Sequence, residues 1–184
     1  GYLANVPPSL FRSEYEARLP EFMTGAEYLV VGETHVDPFT ACRPEHEYRI
    51  RANTRYAVEE NARVQTFSEL ARGAERTRSE RAYILMGEQM YQSHYAYTEC
   101  GLGSKATDLL VSLAREEGAG NGIYGAKITG GGAGGTVAIL GRRDAAAAFR
   151  RIVDRYGEAR KFTPYVFEGS SMGADRFGVR ILEA

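Results

Sequence analysis

The feature that most constrains this 184-residue sequence is a run of glycine between two strand-like segments. Residues 130–135 read Gly-Gly-Gly-Ala-Gly-Gly, and β-branched residues are frequent in the flanking segments 123–129 and 136–140. Glycine loses more conformational freedom on folding than any other residue, and a hairpin turn needs only one or two glycines. The excess predicts a loop whose backbone N–H groups approach an anion such as phosphate. A plain, tightly bent hairpin is the alternative.

Two familiar phosphate-binding motifs do not explain this loop. Gly130, Gly132 and Gly135 have the spacing G-x-G-x-x-G, but the dinucleotide-binding fingerprint opens a helix, whereas a strand-like segment follows here. The other phosphate loop ends in Gly-Lys-Ser/Thr, and this sequence contains no such triplet. A phosphate contact in this chain therefore belongs to a different fold.

The order of predicted elements indicates an α+β fold in a single domain, 1–184. Residues 1–45 are expected to be irregular with short helical pieces, starting at Pro8, and residues 46–118 to be helical. The clearest helix lies between Ser104, a favourable N-cap, and Gly118; its apolar stripe is Ala106, Leu109, Leu110, Leu113 and Ala114. Residues 119–184 predict strands at 123–129, 136–140, 164–167 and 177–182, with a helix at 144–156. Helices followed by β-β-α-β-β favour a mostly antiparallel sandwich.

Composition excludes several classes of function. Hydrophobic residues make up 43% and charged residues 26%, and the net charge is −1, so neither disorder nor a basic surface for nucleic acid or anionic membrane is expected. Two cysteines cannot build a disulfide framework, and no leader or long apolar run is seen, which favours the cytoplasm. The sequence begins Gly-Tyr-Leu without methionine, which suggests a piece of something longer.

Other potential reactive residues are weaker candidates. Four potential metal ligands occur within twelve residues: His35, Asp37, Cys42 and His46. Their spacing fits no familiar zinc pattern and prolines interrupt it, so no metal site is expected. His94 is interpreted as a packed, hydrogen-bonded core residue rather than a base, and Cys100 as a buried thiol.

Several segments resemble one kinase family. Residues 124–136 are similar to the glycine-rich signature near the C-terminus of the GHMP kinases, which include galactokinase, homoserine kinase and mevalonate kinase. Residues 87–95 and 107–111 resemble the galactokinase stretch in which Met and Ser-His precede a helix with an acidic residue and Leu-Val. Residues 100–104, 165–174 and the opening 1–10 look like the arabinokinase-like members. The earlier sugar-binding motif, the Ser-rich ATP loop and a catalytic aspartate are missing from this sequence.

The resemblance implies the C-terminal half of an ATP-dependent sugar 1-kinase with the ferredoxin-like sandwich of that family. It implies ATP and Mg²⁺ in the complete enzyme, a monosaccharide substrate, and an N-terminal half on the same or a separate chain. Most metal and adenine contacts, and any catalytic residue, are expected in that other half. The chain alone is expected to be inactive.

The residues that the resemblance places beside the nucleotide phosphates are Gly130, Gly131, Gly132, Ala133, Gly134 and Gly135. Lys127, three residues earlier, adds charge if its side chain faces the same cleft, but strand alternation equally allows it to face solvent. Two other interpretations stay open. One is a stand-alone ligand-binding or regulatory module, and the other is a structural domain whose glycine loop mediates subunit contact.

Overall fold

The N-terminal part consists of short helical turns and one small strand pair. The computed structural model describes residues 1–31, 39–169, 172 and 174–179. Helical turns at Leu3–Asn5, Phe11–Tyr15 and Glu16–Arg18 surround α1 (Pro8–Leu10), which begins at the predicted proline. β1 (Met23–Thr24) precedes α2 (Gly25–Val31) and pairs antiparallel with β2 (Glu47–Tyr48).

Three helices form the middle of the chain, as the sequence predicts. They are α3 (Ile50–Thr77), α4 (Glu80–Glu99) and α5 (Lys105–Glu117). Ser104 caps α5 by accepting a hydrogen bond from the backbone N–H of Thr107, and the two residues form a reciprocal capping box. Gly118 follows the helix with φ of 66°, so both predicted ends of α5 are confirmed. No helix in the described part of the chain has the length and hydropathy of a membrane span.

An antiparallel hairpin carries the glycine loop. β3 (Ile123–Thr129) pairs with β4 (Thr136–Gly141), with Lys127 opposite Ala138 and Thr129 opposite Thr136. α6 (Ala146–Arg160) follows and packs against α5. The main core is formed by buried side chains of α4, α5, β3 and α6: Tyr91, Val111, Leu113, Ala114, Ile123, Ala126, Ala148, Ile152 and Tyr156. The predicted hairpin and the helix after it are thereby confirmed.

The predicted β-β-α-β-β order is not confirmed. Residues 164–169 form no strand, and Phe177 ends a short helix, α7 (Ala174–Phe177), while residues 180–182 lie outside the described part. Aromatic and β-branched residues in these segments favour a strand, but a strand also needs a neighbour with free backbone groups. Tyr165 and Phe167 pack on each other instead, with ring centroids 4.7 Å apart, and both remain largely exposed.

The hairpin is held to α4 by a direct backbone contact. Gly87 on α4 lies against β3 so closely that a Cβ atom there would stand 1.8 Å from the carbonyl oxygen of Tyr124. A Cβ atom on Gly125 would likewise stand 2.3 Å from the Cα atom of Gly87. Only glycine fits on both sides of this contact. It fixes the position of β3 on α4 and brings the glycine loop beside the C-terminal end of that helix.

Candidate functional site

The loop between β3 and β4 has a backbone that few residues other than glycine adopt. Gly130 and Gly132 have φ of 90°, Gly134 has 135° and Gly135 has 101°. Ala133 is the exception in composition, because it is a non-glycine residue at φ of 58°. Residues with a Cβ atom are strained at positive φ, whereas glycine is not. The glycine content of this loop therefore matches its backbone conformation. Gly131, between two residues of positive φ, lies outside that region.

Two contacts hold the loop against the turn between α4 and α5. The hydroxyl of Tyr97, near the end of α4, donates a hydrogen bond of 2.9 Å to the carbonyl oxygen of Gly130. The backbone N–H of Ala133 donates a 2.7 Å hydrogen bond to the carbonyl oxygen of Leu102. The loop is therefore fixed at its first and fourth residues, so it is not simply a flexible connection.

Gly132 is packed on these same two anchoring residues. A Cβ atom at this position would lie 2.9 Å from the Cβ atom and the carbonyl oxygen of Leu102. It would also lie 3.2 Å from the Cε1 atom of the Tyr97 ring. The need for glycine at position 132 therefore arises from packing and from its positive φ, independently of any ligand.

The open side of the loop presents backbone donors. Among the described residues, no acceptor is found for the N–H groups of Gly131, Gly132, Gly134 and Gly135. A Cβ atom built on Gly131 would meet nothing within 4 Å, so its surroundings are empty. Successive N–H groups in a loop whose φ values change sign form a concave donor surface for anions. The predicted phosphate contact of these residues stays a prediction.

Lys127 contacts an acidic residue of α3. Its Nζ atom lies 3.4 Å from Oε1 of Glu60, and about one third of its side chain is exposed. The same carboxylate accepts a hydrogen bond from the hydroxyl of Ser93 and pairs with Arg63 at 2.8 Å. Lys127 also lines a cavity of about 260 Å³ with Phe67 and other apolar residues. The ammonium group of Lys127 is therefore paired with a carboxylate in this structure. Its predicted contact with phosphate stays a prediction.

The pair between Lys127 and Glu60 is one end of a row of alternating charges. Arg63 also contacts Glu59 at 2.7 Å, and Glu59 contacts Arg12 at 2.6 Å. The side chains of Glu59, Glu60 and Arg63 are each less than one fifth exposed. The row therefore connects the N-terminal turns, through α3, to the strand that enters the glycine loop.

His94 is a packed, hydrogen-bonded residue of the core, as the sequence predicts. It is buried on α4; its Nδ1 atom accepts the N–H of Ile128 at 3.3 Å, and its Nε2 atom lies 3.2 Å from Oδ1 of Asp108. Burial lowers the pKa of His94, although the nearby Asp108 carboxylate opposes this shift. A neutral imidazole satisfies both contacts, as acceptor from β3 and donor to α5.

The two cysteines, further reactive candidates that the structure describes, each contact a backbone carbonyl oxygen. Cys100 is buried, its thiol lies 3.6 Å from the carbonyl oxygen of Ala52, and burial raises its pKa. This confirms the interpretation of Cys100 as a buried thiol. Cys42 contacts the carbonyl oxygen of Gly25 at 3.8 Å, whereas His35 and Asp37 lie outside the described residues. The described part contains no group of three potential metal ligands.

Sequence reasoning missed the two anchors of the loop. Tyr97 and Leu102 lie about 30 residues before the positions they contact, and neither belongs to a recognisable motif. Gly101 and Gly103 mark the turn after α4, but glycine at these positions does not indicate what the turn contacts. The tyrosines of this helix differ in environment, because Tyr91 is buried whereas Tyr95 is exposed.

Comparisons with known proteins converge on one kinase family. The family described as "GHMP kinases C terminal" matches residues 65–159. L-arabinokinase from Arabidopsis thaliana is 38% identical over 96% of this chain, which spans 18% of that protein's length. The crystal structure of Lactococcus lactis galactokinase complexed with galactose matches 85% of this chain and 36% of its own, with a TM-score of 0.52 and 20% sequence identity. At that identity the galactokinase match concerns the fold.

Proposed function

Because the chain belongs to the GHMP kinase C-terminal family, we propose that it is the C-terminal part of an ATP-dependent sugar kinase. In this proposal the complete enzyme transfers the γ-phosphoryl group of ATP to the anomeric hydroxyl of a monosaccharide. The similarity to a relative named L-arabinokinase makes a pentose such as arabinose, or galactose, the first substrate to test. The short span of this chain relative to that protein supports a portion of an enzyme.

The observation that carries the proposal is the anchored loop, in which four backbone donors have no acceptor among the described residues. Phosphoryl transfer depends mainly on positioning and on stabilising negative charge. The N–H groups of Gly131, Gly132, Gly134 and Gly135 in this anchored loop supply both, since the donors are oriented before the substrate arrives. The empty space in front of Gly131 leaves room for a phosphate oxygen to approach the backbone.

The chain's residues hold and orient the phosphate groups in this proposal. ATP, when bound, supplies the phosphoryl group and the leaving group. The loop N–H groups donate hydrogen bonds to phosphate oxygens, while Tyr97 and Leu102 prevent the loop from withdrawing. His94 fixes the strand before the loop through the N–H of Ile128 and takes no proton from the substrate.

The described residues do not offer a Mg²⁺ site of their own. Mg²⁺ prefers several oxygen ligands in octahedral geometry, and no cluster of three acidic, histidine or cysteine side chains is found in the described ranges. Glu60 is engaged by Lys127, Arg63 and Ser93, and Asp108 by His94. As the family resemblance implies, we assign most of the metal contacts to the other half of the enzyme.

The proposal is tested by comparing this chain with a longer polypeptide from the same reading frame. ADP release is measured with ATP and either arabinose or galactose, at micromolar protein. We expect sugar-dependent turnover from the longer polypeptide and none from the 184-residue chain. Turnover by the chain alone above about 1 s⁻¹, the low end for ordinary enzymes, contradicts the assignment to half an enzyme.

The same measurements separate the two other interpretations. A stand-alone module binds ATP or a phosphorylated metabolite but shows no turnover in any longer polypeptide. A purely structural domain binds neither ATP nor a phosphorylated metabolite. Its glycine loop is buried only when subunits associate. A reading frame that continues upstream into a Ser-rich glycine loop favours the kinase.

A further inference from the structure

The two anchors of the glycine loop enclose its first four residues. The Tyr97 hydroxyl holds the carbonyl of Gly130, and the Leu102 carbonyl holds the N–H of Ala133. Between them lie Gly131 and Gly132, whose N–H groups have no acceptor among the described residues. We propose that Tyr97 is a positioning residue that orients these donors for phosphate, an inference that rests on the proposed function.

The contact is suited to set the direction of the donors. Gly130 and Gly132 have φ of 90°, and the residue between them does not have positive φ, so small rotations at Gly130 redirect the N–H group that follows. Glycine adopts many alternative conformations, and an unanchored run would sample them. A hydrogen bond on the Gly130 carbonyl removes that freedom at the entry to the loop.

Tyr97 itself is held firmly. It lies on α4, the helix whose Gly87 is in backbone contact with β3, so the anchor and the strand share one support. Its ring packs against Tyr56 of α3 with centroids 5.4 Å apart. The same ring lies beneath Gly132, where a Cβ atom would be 3.2 Å from its Cε1 atom. The hydroxyl therefore has a fixed origin from which to hold the loop.

The anchor contributes more to ligand binding than to folding. The Tyr97–Gly130 hydrogen bond lies at the exposed surface, where water replaces either partner when the bond is lost. Donors that are oriented before binding avoid the entropic cost of ordering them with the ligand. Loss of the hydroxyl should therefore weaken phosphate binding while the melting temperature stays nearly constant.

The experiment compares Tyr97→Phe with Tyr56→Phe in the 184-residue chain. Tyr97→Phe removes the hydroxyl and keeps the ring, whereas Tyr56→Phe removes a neighbouring hydroxyl that makes no described contact with the loop. The chain is labelled with ¹⁵N-glycine and titrated with pyrophosphate and with ATP. We expect the loop amide signals to shift in the unmodified chain and Kd to rise about fivefold in Tyr97→Phe, the effect of one hydrogen bond. Tyr56→Phe should bind as the unmodified chain does.

A kinetic readout excludes a merely structural role. In the longer polypeptide, Tyr97→Phe should lower kcat and leave KM for the sugar unchanged, because only the phosphate side is disturbed. Equal ATP affinity in Tyr97→Phe and the unmodified chain overturns the positioning role and leaves the proposed function intact. A fall in melting temperature that accounts for the lost binding overturns it as well. If loop signals of the unmodified chain respond to neither probe, the phosphate site fails and the positioning role fails with it.

Discussion

Two glycine-dependent regions lie along the same helix, α4, and they use glycine for opposite reasons. In the N-terminal half of the helix, Gly87 is buried in contact with Gly125 of β3, where any side chain would overlap backbone atoms. Near its C-terminal end, the loop of residues 130–135 is largely exposed, and Gly131 faces empty space. Glycine content alone does not distinguish a packing requirement from an open donor surface. The two are distinguished by the distance from a Cβ atom built on the glycine to its nearest neighbouring atom.

The largest effect is expected where the backbone contact is closest. Gly87→Ala places a Cβ atom 1.8 Å from the carbonyl oxygen of Tyr124, so α4 and β3 must separate. We expect a loss of about 3 kcal/mol or more in the free energy of unfolding, because the clash involves backbone that cannot change rotamer. Urea denaturation followed by circular dichroism measures it. A Gly87→Ala variant as stable as the original chain would contradict the requirement for glycine in the contact between α4 and β3.

Substitution of Gly131 tests whether the exposed face of the glycine loop binds phosphate. Gly131→Val adds a side chain in free space at a residue without positive φ, so stability should be unchanged. In the longer polypeptide, kcat/KM for ATP should fall by about 100-fold, because the phosphate is displaced by about 1 Å. Gly120→Val is the matched control, since Gly120 is equally unobstructed and lies outside the loop. Activity that follows only the folded fraction would favour a plain hairpin.

Gly132 is less suitable for this test. Its φ of 90° and its contact with Leu102 make any substitution there strained and crowded at once. A loss of activity in a Gly132 variant would therefore not separate packing from phosphate binding.

His94 connects the two regions and should make stability depend on pH. Burial lowers its pKa in the folded chain, with Lys127 and Arg115 acting in the same direction and Asp108 opposing them. The unfolded chain binds a proton near pH 6.5, so His94 lowers the stability of the folded state as the pH falls below about 6.5. His94→Gln, which keeps a donor and an acceptor but does not titrate, should lose less stability between pH 7 and pH 5. Identical pH profiles would contradict the neutral, buried histidine.

The smallest effect is expected at a glycine that neither region uses. Gly73 lies inside α3, and a Cβ atom there would meet nothing within 4 Å. Gly73→Ala should stabilise the chain by about 1 kcal/mol through helix propensity. Thermal unfolding measures this change, and a destabilised variant would show that Gly73 has a packing role which the structure does not reveal.

Local signals account for what the sequence predicted well. The capping box at Ser104 and the glycine at position 118 determine the ends of α5 through contacts within a few residues. The stripe of α5 was only partly right, because Thr107 and Val111 are buried more deeply than Leu109 and Leu110. Neighbours from β3 and α6 on two sides widen the buried face beyond a single stripe.

Contacts between residues that are distant along the chain account for the features that the sequence did not predict. The aromatic and β-branched residues of 164–167 suit a strand, but without a hydrogen-bonded neighbour the segment remains irregular. Lys127 finds its partner Glu60 across 67 residues, and Tyr97 finds Gly130 across 33. No periodicity in the sequence records such pairs. The loop was therefore identified from its composition, whereas its anchors became visible only in three dimensions.

The row of alternating charges from Arg12 to Lys127 bears on which substitutions this protein tolerates. Glu60 pairs with both Arg63 and Lys127, so its replacement alone removes the described counter-charge of Lys127 and leaves Arg63 paired with Glu59 only. A single exchange of sign in the row is costly, and a compensating exchange at a neighbour restores the balance. We therefore expect paired substitutions in this row to be tolerated better than single ones, although the N-terminal turns and the hairpin strand lie far apart along the chain.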